Sequence, residues 1–330
     1  MKKMKFKLFS ALVLAFLLAA SAVSFAADVP FPGSLVRVPM GTASAAGTFY
    51  LYSGGVAKVI NDNVKNVEIL LEVTGGSGAN IALLQNKEVD LMICEAGMVW
   101  EKMNGIELEK DEPPFKNVRA LTPAYVNIYA CWAVDPKITK LQDLEGKKIG
   151  VSQYLSGAHL GTIKVFEALG INAEYVNTAW ADSFIELADG RLQAVSGPTG
   201  HPSSPAIELE SKMPTNYVSL SDEDIEKILK HIPYYSRGVI PKGTYKYLTE
   251  DYQSVENWVC LFVRDDMDED LAYLLTKALM ENNPTLVATH NTAKYSLPEN
   301  IVKQPIPIHK GAAKYYREKG IEVPANLVAD

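Results

Sequence analysis

The feature that most constrains this sequence is a unit that recurs along it: a β-rich segment, a loop rich in glycine and serine, and a segment with helical spacing. The unit appears over residues 35–61, 67–87 and 148–169. Strands that alternate with helices of about 10 to 15 residues are typical of βα units and of a largely parallel sheet. The sequence therefore predicts an α/β fold.

Two further segments resemble each other and indicate two lobes. Residues 80–95 read as a helix, a short turn and a strand, and residues 183–196 read the same way. One segment precedes residue 130 and the other follows it. Two similarly built α/β halves in one chain favour two lobes that face a common cleft.

Two strongly apolar strands, at residues 125–134 and 258–263, are the predicted crossings between the lobes. Two crossings form a hinge, and closure around a ligand is a well-attested use of that layout. The expected division is residues 1–26 as a signal peptide, residues 27–128 plus 256–330 as the first lobe, and residues 129–255 as the second.

The N-terminus predicts export. Four lysines lie within the first seven residues, an apolar run follows over residues 8–20, and Ser24-Phe25-Ala26 precedes Ala27. A basic start, a short apolar stretch and a small-x-small ending are the parts of a secretory signal peptide. The run is shorter than the roughly 20 residues of a membrane span. We expect cleavage and a periplasmic location, with a retained anchor as the alternative.

The three glycine- and serine-rich loops are the predicted ligand site. Each precedes a helix, where free backbone N–H groups and the helix dipole hold carboxylates or phosphates without a lysine or arginine. In open α/β sheets such loops meet beyond the carboxyl ends of the strands. The alternative for each loop is that it is only a turn with a good N-cap, since serine and threonine are preferred caps.

Other function classes find little support in the sequence. A formal charge of −7 argues against nucleic acid as a partner. There is no P-loop or dinucleotide fingerprint, and the segment from Gly75 to Ala79 departs from a nucleophile elbow at its last residue. The five histidines form no recognisable catalytic or metal pair. We expect neither an enzyme nor a cofactor or metal.

Two smaller features have alternative interpretations. Cys94, Cys131 and Cys260 lie in strand-like apolar runs and are interpreted as buried thiols, with one disulfide and a spare thiol as the alternative. The acid-rich residues 264–270 have spacings that suggest calcium, but a helix start enriched in acids explains them more simply.

The order of these pieces resembles the TAXI family of solute receptors, the extracytoplasmic component of TRAP transporters. The similarity covers nearly the whole mature chain and is carried by Gly41-Thr42, Gly47-Thr48-Phe49-Tyr50, Gly75-Gly76-Ser77, Val89-Asp90-Leu91, residues 141–148, Ser156-Gly157, Gly200-His201-Pro202, residues 240–245 and Val263-Arg264-Asp265. The resemblance implies a type II periplasmic-binding-protein fold with two α/β lobes, a two-crossing hinge and a central cleft. It also implies TRAP membrane subunits, usually fused, as partners.

The resemblance further implies a small carboxylate ligand, of the amino acid or the dicarboxylate and 2-oxoacid classes. The expected ligand-binding residues are Thr42, Ser44, Ala45, Gly47, Thr48, Tyr50, Gly76, Ser77, Glu95, Tyr154, Ser156, Gly157, Ala158 and Pro198. Glu95 departs from the family, whose members commonly carry a neutral amide there. An ionised Glu95 in the cleft would favour an ammonium group, and a solvated strand end is the other interpretation.

Three other functions stay open from the sequence. A binding protein of an ATP-driven importer has the same fold, and a ligand sensor presents its closed form to a signalling partner. The remote alternative is a secreted hydrolase that uses Ser77 or Ser156, which needs a base about 3 Å from the serine.

Overall fold

The computed structural model describes residues 31–106 and 113–328. The predicted signal peptide, residues 1–26, lies outside the described residues. No helix within the described ranges is long and apolar enough to cross a membrane.

Strands and helices alternate along the chain, as predicted. The strands are β1 (Val36–Gly41), β2 (Val67–Glu72), β3 (Leu91–Glu95), β4 (Val118–Ala133), β5 (Lys148–Gly150), β6 (Glu174–Val176), β7 (Ala194–Thr199), β8 (Asn216–Tyr217), β9 (Ser236–Ile240) and β10 (Tyr252–Arg264). The α-helices are α1 (Thr48–Asn63), α2 (Ser77–Gln85), α3 (Ala96–Asn104), α4 (Gly157–Leu169), α5 (Trp180–Ala188), α6 (Ser204–Lys212), α7 (Asp222–His231), α8 (Glu269–Glu281), α9 (Asn283–Thr289) and α10 (Lys310–Glu318). Short 3-10 helices cover Leu141–Leu144, Asn291–Tyr295, Pro298–Lys303 and Ala325–Leu327.

The strands form one sheet with the order β2-β1-β3-β10-β4-β7-β5-β6, with β9 added to β10 and β8 to β4. In the first half, β1 pairs in parallel with β2 and β3, and β10 runs antiparallel to β3. The second half repeats this arrangement, because β5 pairs in parallel with β6 and β7, and β4 runs antiparallel to β7. This is the type II fold of periplasmic solute-binding proteins, as expected from the sequence.

Strands β4 and β10 connect the two halves. β4 pairs with β10 from Val118 to Ile128 and with β7 from Ile128 to Trp132. β10 pairs with β3 and β4 in its later part and with β9 over Tyr252–Glu256. The expected lobe boundaries, 128/129 and 255/256, thus fall within the two longest strands rather than in loops.

Local sequence explains where several helices begin and end. A capping box between Ser221 and Asp224 begins α7, and Asp268 caps α8 by accepting the N–H of Leu271. The acid-rich residues before α8 are therefore a helix start. Gly105 and Gly170 end α3 and α4 in the left-handed conformation, which glycine adopts without steric cost.

The apolar strands form the core. β3 is buried along its whole length, and β4 is buried at all but one position. Cys94, Cys131 and Cys260 are buried and unpaired, as predicted. Burial raises the pKa of all three thiols because it penalises the thiolate.

Candidate functional site

A cavity of about 70 Å³ lies between the two halves, beyond the carboxyl ends of the parallel strands β1, β3, β5 and β7. A volume of about 10–15 Å³ is enough for one water molecule, so this cavity has room for several waters or for a small ligand. Its position is the one that the fold favours for ligands.

Three helix N-termini point into this cavity. Gly47 precedes α1, Gly76 precedes α2 and Ser156 precedes α4, and each lines the cavity. Gly47 and Gly76 provide no side-chain cap, and the first N–H groups of a helix have no partner within it. Gly76 has a φ of 94°, which favours glycine. The N–H groups and dipoles of α1, α2 and α4 therefore give the cavity a positive potential suited to an anion.

The two halves touch each other at the cavity. The N–H of Gly78 in the first half donates to the carbonyl of Leu155 in the second at 3.2 Å. A Cβ atom on Gly157 would lie 2.5 Å from Oε1 of Glu95. The end of β3 therefore lies against the N-terminus of α4.

A second contact between the halves lies outside the cavity. Lys164 of α4 forms an ion pair with Glu101 of α3. The side chain of Lys164 is 15% exposed and that of Glu101 is 16% exposed. The hydroxyl of Tyr234 donates to Glu101 at 2.9 Å and accepts from Lys164 at 3.0 Å. We call these three side chains the latch.

Glu95 lies on the floor of the cavity and is only 2% exposed. Its Oε1 accepts from the amide of Asn127 at 2.7 Å, and its Oε2 accepts from the amide of Asn257 at 3.3 Å. Burial raises the pKa of Glu95 to about 7, although both amides act in the opposite direction. The carboxyl group therefore changes its charge near neutral pH.

Two polar atoms beside Glu95 are buried without a partner. The hydroxyl of Tyr125 and Oδ1 of Asn127 have no hydrogen-bond partner among the described residues, and both side chains line the cavity. Buried polar atoms are normally satisfied, so each such exception calls for an explanation.

Most of the expected ligand-binding residues come together at this cavity. Those that line it are Ser44, Gly47, Thr48, Gly76, Ser77, Glu95, Ser156, Gly157, Ala158 and Pro198. They come from five separate segments of the sequence, at residues 44–48, 76–77, 95, 156–158 and 198. The order of the strands brings these segments together at the carboxyl ends of the parallel strands.

The other four expected residues do not line the cavity. The hydroxyl of Thr42 donates to the carbonyl of Glu72 at 2.6 Å and so joins the ends of β1 and β2. Ala45 is exposed, and Tyr50, in the first turn of α1, is half-buried outside the cavity lining. Tyr154 is 65% exposed and its ring lies against His159.

The structure also brings residues to the cavity that the sequence reasoning missed. They are Ala43, Phe49, Gly75, Tyr125, Asn127, Ser152, Gln153, Trp180 and Thr199. Asn127 carried a usable signal, because it is a lone amide in the apolar run from Tyr125 to Cys131. A polar side chain in a buried strand needs a partner.

The two candidate nucleophiles act as hydrogen-bond acceptors for backbone. Ser77 Oγ accepts the N–H of Glu95 at 3.4 Å, and Ser156 Oγ accepts the N–H of His159 at 3.2 Å. Nδ1 of His159 accepts the N–H of Leu155 at 3.0 Å. The contacts of Ser156 and His159 are those of a capped helix start, whereas Ser77 joins the first residue of α2 to the end of β3.

Residues 40–320 match the model of a family described as the NMT1-like family. Among solved structures, a protein from Bordetella bronchiseptica RB50 is 15% identical over 86% of this chain and 82% of its own, with a TM-score of 0.53. An ancestral arginine-binding protein bound to arginine is 18% identical over 77% and 96%, with a TM-score of 0.48. A putative L-cystine ABC transporter protein from Listeria monocytogenes is 15% identical over 77% and 94%, with a TM-score of 0.47. The similarity to the Bordetella protein concerns the fold alone.

Proposed function

Since the chain belongs to the NMT1-like family, we propose that it is an extracytoplasmic solute receptor, which captures a small carboxylate between its two lobes and delivers it to a membrane transporter. The type II fold and the cavity between its halves support this function.

The convergence of α1, α2 and α4 on one cavity is the observation that carries the ligand class. Their N-termini start at Thr48, Ser77 and Gly157, and all three residues line the cavity. A carboxylate at this point accepts hydrogen bonds from unpaired N–H groups and is stabilised by the dipoles of the three helices. The cavity-lining residues of the described chain include neither lysine nor arginine, so backbone groups would carry the recognition.

The same arrangement supports binding by closure, with this structure as the closed form, in which the two halves touch. Residues 27–128 plus 256–330 form one lobe in this proposal and residues 129–255 the other, with β4 and β10 as the hinge. α1 and α2 belong to the first lobe and α4 to the second, so one carboxylate contacts both. A ligand stabilises the closed form to the extent of such differential contacts.

For the partner, we propose the membrane subunits of a TAXI-type TRAP transporter, fused into one chain. The order of the motifs from Gly41-Thr42 to Val263-Arg264-Asp265 supports this assignment. Uptake by proteoliposomes with the partner should then need the receptor and an ion gradient and proceed without ATP. Uptake that needs ATP would overturn this assignment and identify the partner as an ATP-driven importer.

The ligand class is tested by thermal unfolding of the exported protein with amino acids, dicarboxylates and 2-oxoacids. A ligand at 100 times its dissociation constant adds about 2.7 kcal/mol to the free energy of unfolding, which is a shift of a few degrees. Stabilisation by a carboxylate is the expected result. Stabilisation only by an uncharged class, such as sugars, would overturn the carboxylate assignment.

A further inference from the structure

We propose that Glu95, Asn127 and Tyr125 form an ammonium-binding subsite on the floor of the cavity, so that the ligand is a small ammonium carboxylate such as an α-amino acid. This inference rests on the proposed function, because the carboxylate end of the ligand is assigned there. It distinguishes amino acids from the 2-oxoacids and dicarboxylates that the helix N-termini alone would accept.

The carboxylate of Glu95 has acceptor capacity left over. Each of its oxygens receives one amide hydrogen, from Asn127 at 2.7 Å or from Asn257 at 3.3 Å. A carboxylate offers about four lone-pair sites. The remaining lone pairs of Glu95 lie at the floor of the cavity, where a donor from the ligand can satisfy them.

Two further atoms complete the acceptor set. The amide of Asn127 turns its nitrogen to Glu95, which leaves Oδ1 as an acceptor, and the opposite orientation would place two oxygens together. Tyr125 lies two residues before Asn127 in β4, so its side chain is on the same face of the strand and its hydroxyl is the second atom. Both atoms are buried without a partner in the described part of the chain. An ammonium group has three donors and no acceptor, which matches this surplus.

The charge of the floor also favours a cation. The titratable groups near Glu95 are Cys94 of β3, Tyr125 of β4, Glu101 of α3, Lys164 of α4, and Tyr234 and Tyr235 before β9. Of these, Lys164 and Glu101 pair with each other in the latch. The ionised Glu95 is therefore left with amides and dipoles, and a buried carboxylate is strongly stabilised by a cation.

The two ends of the ligand would lie close together. A Cβ on Gly157 would be 2.5 Å from Oε1 of Glu95, so the acid adjoins the N-terminus of α4. An α-amino acid separates its ammonium and carboxylate by one carbon and suits this closeness. A 2-oxoacid would instead place a carbonyl oxygen against the acceptors of the floor.

Calorimetric titration of the exported protein at pH 8 with matched pairs tests the subsite. The pairs are L-glutamate with 2-oxoglutarate, L-alanine with pyruvate and L-leucine with 4-methyl-2-oxopentanoate, together with n-propylamine. We expect an amino acid to bind at least about 100-fold more tightly than its 2-oxoacid, because the 2-oxoacid leaves the buried carboxylate of Glu95 without a cation. Its affinity should fall by up to about tenfold per pH unit below pH 7, as Glu95 is protonated.

The substitution Glu95→Gln should weaken amino acid binding by about 100-fold and remove the dependence on pH in this range. The substitution Glu250→Gln, at an exposed glutamate outside the cavity, is the matched control and should change neither. If the first variant fails to fold, the matched pairs and the pH series on the unaltered protein still decide.

The outcomes separate the two proposals. Equal or tighter binding of 2-oxoacids, with affinity rising as the pH falls, would mean that a protonated Glu95 donates to the ligand; the ammonium subsite is then overturned and the carboxylate receptor stands. Binding of n-propylamine as tightly as an amino acid would support the subsite and overturn the carboxylate assignment. Binding of neither amines nor carboxylates would overturn both.

Discussion

Asn127 of β4 and Asn257 of β10 lie directly opposite each other in the antiparallel ladder, and both donate their amides to the carboxylate of Glu95. These are the two strands by which the chain passes between the halves of the sheet. The buried acid of the cavity is therefore held from both crossings at once.

The first prediction concerns the pH dependence of stability without ligand. Glu95 holds a proton up to about pH 7 in the folded protein, against 4.5 as its ordinary value. The folded state therefore binds more protons between these pH values, and the contribution of Glu95 to the free energy of unfolding falls as the pH rises through them. The shift corresponds to about 3 kcal/mol.

Urea unfolding at pH 5 and pH 8, compared between the natural protein and the Glu95→Gln variant, measures this contribution. The comparison is needed because burial lowers the pKa of His201 to about 4, which acts in the opposite direction over part of the same range. The difference in stability between the two proteins should favour the natural protein more at pH 5 than at pH 8. An equal difference in unfolding free energy at pH 5 and pH 8 would contradict the raised pKa of Glu95.

The second prediction concerns the latch of Glu101, Lys164 and Tyr234. It joins α3 to α4 across the halves without lining the cavity. The substitution Lys164→Met leaves Glu101 without its cation in the closed form, at a cost of about 1–2 kcal/mol. We expect the dissociation constant of the ligand to rise about tenfold, chiefly through faster dissociation.

Stopped-flow kinetics separates the two rate constants. The control is Lys212→Met, which breaks an exposed ion pair with Glu208 within α6 and should leave both rates unchanged. Slower association with unchanged dissociation would show that the latch acts on capture rather than on the closed state.

Much of the fold follows from the sequence, because the alternation of strands and helices is a local property. The predicted units 35–61 and 67–87 contain β1 with α1 and β2 with α2, and β2 starts at Val67 as expected. The glycine- and serine-rich segments extend into the helices, since α2 begins at Ser77 and α4 at Gly157. Serine and glycine at a helix start resemble a loop when only composition is considered.

Most of the predicted residues that line the cavity lie in the glycine- and serine-rich segments at helix starts, and Glu95 and Pro198 lie at the ends of strands. Ser77 and Ser156 were found by their position before helices, whereas Tyr125 and Asn127 lie in an apolar strand whose pattern indicates a core. Which face of that strand meets the cavity depends on its register with β10, and register is a long-range property. Tyr154, also predicted as a ligand contact, is exposed and lies outside the cavity lining. An exposed loop residue has no sequence pattern that orients its side chain.

The third prediction concerns the close approach at Gly157. A Cβ there would meet Oε1 of Glu95 at 2.5 Å in the closed form. Overpacking of this kind costs about 1–3 kcal/mol, so Gly157→Ala should weaken ligand binding by about ten- to a hundredfold. The open form escapes the clash, and its thermal stability should hardly change.

Gly54→Ala is the matched control, because a Cβ at that position of α1 has nothing within 4 Å. It should stabilise the protein by about 0.5–1 kcal/mol through helix propensity and leave affinity unchanged. Calorimetric titration of both variants measures the affinity, and thermal unfolding measures the stability. Natural affinity in Gly157→Ala would mean that ligand-bound closure is looser than in this structure.

The last prediction separates the two roles of Ser156, which caps α4 through the N–H of His159 and also lines the cavity. Asparagine and aspartate both cap helices as well as serine does, so Ser156→Asn and Ser156→Asp should fold with nearly natural stability. The two variants match in size and differ in charge. If α4 binds the ligand carboxylate, the aspartate places a second carboxylate at the same N-terminus and should reduce affinity by about 100-fold relative to the asparagine variant. Equal affinities of the two variants would place the ligand carboxylate away from α4, and the anion site would then consist of α1 and α2 alone.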